Sequence, residues 1–134
     1  MRFLVGSIAD WDALFLEAYR ACKPGGWVES FEASVDAKSD HGTLSSESTL
    51  RQWTEVFVDG GEKVGRTFLV VDEELQRKGM EAAGFVDIQE YNWKVRERVH
   101  AQSVGRRRVI KLTAAYRDLS GLGLRTQISR RWEI

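Results

Sequence analysis

Two carboxylates and one imidazole are the side chains best suited to proton transfer or substrate contact. Glu29 and Glu32 lie in the run Trp27-Val28-Glu29-Ser30-Phe31-Glu32-Ala33, and His41 lies in the polar stretch SVDAKSDHGTLSS over 34–46. A histidine in a loop can serve as a base near neutral pH, but His41 has no partner that the sequence identifies. The two glutamates are three positions apart. On a strand they point to opposite faces, so they cannot act as one acid–base pair. Cys22 is the chain's one cysteine; without a histidine and asparagine arrangement beside it, a small buried thiol is the expected reading. With two histidines and one cysteine in the whole chain, no metal site is expected, and no catalytic residue can be assigned.

These residues need elements to hold them. Trp11, Leu14, Phe15, Ala18 and Cys22 recur at helical spacing, which predicts an amphipathic helix from Ser7 to about Cys22, capped by Ser7 with Asp10 as its acidic partner. Lys23-Pro24-Gly25-Gly26 ends it, because proline offers no amide hydrogen and glycine tolerates positive φ. A strand over 27–33 follows. Leu50, Trp53 and Phe57 restart a helical period, which Gly60-Gly61 is expected to interrupt. A third helix is predicted from Asp72, as N-cap, to Ala83-Gly84, and then a strand over 85–93. Trp11, Trp27, Trp53 and Trp93 read as core residues.

The chain has 134 residues, 43% hydrophobic and 30% charged, the texture of a globular domain with no stretch apolar enough for a membrane span. The expected address is intracellular, cytoplasmic or nuclear. Its net charge of zero conceals an asymmetry. Residues 1–94 hold 10 basic against 17 acidic residues, a balance of −7, and residues 95–134 hold 10 against 3, a balance of +7.

The run Gly6-Ser7-Ile8-Ala9-Asp10-Trp11, the Lys23-Pro24-Gly25-Gly26 stop before a strand, Ser39-Asp40-His41-Gly42-Thr43-Leu44, and Ala83-Gly84-Phe85-Val86-Asp87-Ile88 occur in that order. Together they resemble fungal class I S-adenosylmethionine-dependent methyltransferases, including enzymes related to regulators of secondary metabolism. The resemblance covers about residues 2–95. It implies an α/β fold, a partial Rossmann-like sheet of later strands and helices, with 27–33 as the fifth strand and 85–93 as the sixth. It implies S-adenosylmethionine as cofactor, with Arg2 on the cofactor side, and Glu29, Glu32 and His41 on the side of an unidentified methyl acceptor.

The glycine-rich cofactor loop of such folds follows their first strand, and no such turn is found in this sequence. The expectation is therefore a truncated methyltransferase-like protein, inactive alone, with Met1 an internal start. Its domains read as 1–95, a C-terminal half, and 96–134, an irregular basic tail of uncertain structure and foreign origin, in which Val109-Ile110-Lys111-Leu112-Thr113 has the composition of a short strand. The competing expectation is a non-catalytic interaction module that binds a partner through an open sheet edge and the basic tail. A protein is the favoured partner; nucleic acid is disfavoured because the tail lacks interleaved aromatics.

Overall fold

Asp10, rather than Ser7, starts the first helix: its carboxylate accepts the Ala13 amide at 2.8 Å, and α1 runs over Trp11–Ala21. Ser7 is drawn instead into a tight turn, donating its amide to the Leu4 carbonyl at 2.8 Å, with Gly6 at φ +72°. The computed structural model describes residues 1–36, 47–99 and 103–116, and the outer ends of its two long strands by their backbone alone.

After the Lys23–Gly26 turn comes β1, Trp27–Ala33, and then α2, Thr49–Lys63. Helix α2 continues through Gly60 and Gly61 where a break was expected. At Gly61 the bare backbone is useful: a Cβ there would sit 2.3 Å from the Arg66 carbonyl and 2.7 Å from the Phe68 ring. The glycine admits the returning chain against the helix. Helix α3, Leu75–Ala83, begins later than expected. Asp72 does not cap it, because its carboxylate accepts the Ser34 hydroxyl at 2.6 Å. Gly84, at φ +98°, ends it as expected.

Strand β2, Val86–Val99, outlasts the expected 85–93, and β3 spans Ser103–Ala115. The sheet order is β1-β3-β2, with β3 antiparallel to both neighbours. The strands read as fifth and sixth run parallel, on either side of β3. One expectation is corrected: much of the segment read as an irregular tail supplies the middle strand, because Val109, Ile110, Leu112, Ala114 and Ala115 are buried and the sheet would lack a centre without them. Residues 117–134 lie outside the described residues. Between Val86 and Gln89 the register slips by one residue, and Asp87 takes φ +52° at that bulge.

The helices α1 and α3 cover one face of the sheet. Trp11, Phe15, Val70, Val71, Met80, Phe85, Ile110, Leu112 and Ala114 form the core there. Gly79 lets α3 approach α1, since a Cβ would meet the Phe15 ring at 2.6 Å. The other face carries Trp27, Glu29 and Phe31 of β1, Lys111 and Thr113 of β3, and Tyr91 and Trp93 of β2. Trp93 is 46% exposed and Trp27 39%, while Trp53 on α2 is 50% exposed. Of the four tryptophans expected in the core, only Trp11, at 4%, is there. Periodicity places a residue on a face, but another layer must cover that face before it becomes core.

Candidate functional site

In open α/β sheets, ligands gather beyond the carboxyl ends of the strands. At that end of β1, Ser30, Glu32 and Ser34 follow one another at alternate positions and are all buried, 1% exposed or less. A polar row on the core face requires partners, since an unsatisfied buried polar group costs about 1–3 kcal/mol. Ser30 accepts from Gln76 Nε2 at 2.9 Å. Ser34 donates to Asp72 and accepts the Asp36 amide at 3.0 Å. Thr54 of α2 donates to the Val35 carbonyl at 3.1 Å, fixing the chain as it leaves the sheet.

Glu32 is the pivot of this row. Its carboxylate accepts the Leu4 amide at 2.9 Å and the Val5 amide at 3.1 Å. Burial pushes its pKa above the ordinary carboxylate range, and the two amides only partly offset that. Its role is to anchor residues 4 and 5 beside β1. The same segment pairs with the outer edge of β1: Phe3 donates to the Phe31 carbonyl at 3.0 Å, and Phe31 donates to the Met1 carbonyl at 3.1 Å. An edge expected to be open is thus partly covered by residues 1–3.

Glu29 occupies the opposite face. Its carboxylate meets Lys111 Nζ at 2.6 Å and the Arg2 guanidinium at 2.9 Å. The hydrogen bond from Lys111 is the chief cause of its lowered pKa, desolvation opposes it, and Arg2 adds to the lowering. Arg2, 68% exposed at its side chain, also lies over the Phe31 ring at 5.9 Å. The structure therefore brings Arg2 and Glu29 together and keeps Glu32 apart from them. His41 lies outside the described residues. A surface hollow of about 270 Å³ lies between α2 and the 65–69 turn, and neither Arg2, Glu29 nor Glu32 lines it.

Ser30, Ser34, Asp72 and Gln76 were missed by sequence reasoning. Their one signal was Ser-x-Glu-x-Ser along β1, polar residues at alternate positions of a strand whose ends are otherwise apolar. Cys22, half-buried at the end of α1, is a free thiol. Among the described residues no group of three or more His, Cys, Asp or Glu could hold a metal ion, and no helix is long and apolar enough to cross a membrane. Nor does any described strand pass through a glycine-rich turn into a helix, the arrangement that cradles a nucleotide-like cofactor.

Comparison with known proteins gives this α/β unit its relatives: the chain resembles fungal methyltransferases and fungal regulators of secondary metabolism. It is 35% identical over 91 residues to the secondary metabolism regulator LAE1 of Cochliobolus heterostrophus, which covers 67% of this chain and 29% of that protein. It is 32% identical over 94 residues to the methyltransferase pytC of Aspergillus terreus, covering 70% of this chain and 28% of that protein. The chain therefore spans less than a third of the length of these curated relatives. No family model matches it. Among solved structures, a Haemonchus contortus phosphoethanolamine N-methyltransferase 2, in complex with phosphomonomethylethanolamine and S-adenosylhomocysteine, covers 87% of this chain and 32% of that one. Its 20% identity and TM-score of 0.44 are too slight to support an argument.

Proposed function

We propose that this chain supplies the acceptor-side part of a methyltransferase-like domain and that it has no methyl-transfer activity by itself. The observation that carries this reading is the 35% identity to a fungal regulator over 67% of the chain but only 29% of the relative. The methyl donor in this reading is S-adenosylmethionine, bound mainly by groups that residues 1–134 do not provide. Methyl transfer depends on holding a sulfonium carbon in line with a nucleophile, so a chain without the donor-positioning groups loses nearly all of the rate. Arg2 belongs to the donor side, and Glu29 and His41 to the acceptor side, whereas Glu32 is engaged by the amides of Leu4 and Val5. The methyltransferase-like part extends through β3. A cytoplasmic or nuclear address accompanies this reading.

Calorimetry with S-adenosylmethionine tests it in two arms. The 134-residue chain alone is expected to give no micromolar binding. The chain mixed with the remaining, separately produced part of the Cochliobolus heterostrophus regulator is expected to bind. Micromolar binding by the chain alone overturns the inactivity; no binding in either arm overturns the methyltransferase reading.

A further inference from the structure

The face of the sheet opposite α1 and α3 carries a connected run of rings. Phe3 and Phe31 meet edge-on with centroids 5.3 Å apart, Phe31 lies 6.3 Å from Trp93, and Trp93 lies 6.1 Å from Tyr91 with the two planes 14° apart. Phe3 is held there by a backbone at φ +53°, a conformation that is strained for a bulky side chain. Phe3, Trp27, Tyr91 and Trp93 keep between 39% and 66% of their surface exposed. At roughly 150–250 Å² for each aromatic side chain, these fractions leave about 400 Å² of ring surface on one side of a small chain. A patch of that size on a soluble protein marks a binding surface.

The register shows what such a face fits. Trp27, Glu29, Phe31 and Ala33 of β1 lie in rows with Ala115, Thr113, Lys111 and Val109 of β3, so large residues alternate with dips at Ala33, Val109 and Ala115. A two-fold axis across the strands, between the rows of Lys111 and Thr113, lays the first row of one copy on the last row of another. Trp27 then stands over Ala33 of the second copy, a knob over a dip. Glu29 stands over Phe31 of the second copy, the ring that carries Arg2 at 5.9 Å, and Lys111 stands over Thr113. Among these residues no cation faces a cation. Within one copy Glu29 already lies between Arg2 and Lys111, so the face attracts a polyanion only weakly and repels its own copy little.

We propose that two copies of the chain pair through this face, sheet on sheet, as a weak symmetric dimer. The ring patches of two copies bury about 800 Å² between them, and Arg2, Glu29, Lys111 and Thr113 bring the total near the roughly 1,000–1,200 Å² at which specific interfaces begin. At that lower limit the pair is expected to be dissociated near about 1 μM and formed near about 100 μM. The proposal is independent of methyl transfer.

Light scattering of the full chain at those two concentrations tests it, the mass being expected to rise from 15.3 kDa toward twice that value. Hydroxyl-radical footprinting at the same concentrations is expected to show Trp27, Tyr91 and Trp93 protected at the higher one, with Trp53 on α2 unchanged. Tyr91→Arg is expected to keep the chain at the single mass at the higher concentration, with its melting temperature retained, whereas Trp53→Arg dimerises like the parent. The footprint needs no variant, so it decides the matter even where Tyr91→Arg fails to fold. A chain that stays at one mass overturns the proposal, as does growth past two copies, protection at Trp53 in place of the sheet face, or a dimer that survives Tyr91→Arg. Protection of Tyr91 and Trp93 only on addition of the remaining, separately produced part of the Cochliobolus heterostrophus regulator overturns it in favour of that part as the occupant.

Discussion

Glu29 and Glu32 leave the same strand in opposite directions and meet opposite physics. Glu29 stands on the face opposite the helices α1 and α3, between two cations, which hold its pKa down. Glu32 is buried on the helix-covered face, where loss of water raises its pKa despite two amide donors. Three residues of separation thus turn one chemical group into two devices. One is an adaptable surface ion pair. The other is a buried anchor whose charge works against burial.

The sharpest break between the two faces is expected from packing. Phe15→Ala, in the covered layer, should cost about 3–5 kcal/mol in urea unfolding, since it removes a fully buried ring between α1 and α3. Trp93→Ala on the open face should cost well under half of that, because the ring keeps 46% of its exposure. Equal losses would mean that the open face is covered in solution. Next comes Gly79→Ala, expected to cost about 1–3 kcal/mol because the added Cβ would stand 2.6 Å from the Phe15 ring.

Glu32→Gln probes the anchor through pH. A raised pKa means that the folded protein holds the proton more tightly than the unfolded chain. The contribution of Glu32 is therefore fully present below the ordinary carboxylate value and is lost as pH rises to the raised one. The glutamine variant should show a flatter stability profile through that interval in denaturant melts taken at successive pH values. Glu29→Gln is expected to have the smallest effect, at most about 1 kcal/mol at neutral pH, as suits a partly exposed ion pair. Its sign is opposite: the lowered pKa contributes stability above the ordinary value that disappears as pH falls through the folded one, and the variant should lack that acid loss.

What the sequence disclosed were features set by neighbouring residues. Pro24 and the two glycines after it bound β1 at Trp27, and Gly84 closes α3, because backbone chemistry acts locally. Asp10 took the cap from Ser7 because the Leu4–Ser7 turn, held by Glu32 from 28 positions away, decides where the helix begins. Trp27 and Trp93 have the spacing of packing residues, but spacing is silent on whether a second layer lies above them. The place of β3 was hidden for the same reason: the pairs Trp27 with Ala115 and Arg96 with Arg106 exist only once the sheet has formed. Of the candidate site, Glu29 and Arg2 were found as individuals, and their union with Lys111 was not.

The central position of β3 also sets an order of events in time. Strands β1 and β2 do not touch, so neither can complete a ladder until Ala115 has left the ribosome, some 80 residues after β1 itself. Throughout that interval the pairing that β1 has among the described residues is the short one with residues 1–3. Closing so long a loop is slow, and an unpaired strand in the meantime invites the wrong neighbour. A ribosome pause within residues 103–115 should therefore do more harm to the yield of folded protein than an equal pause within α2.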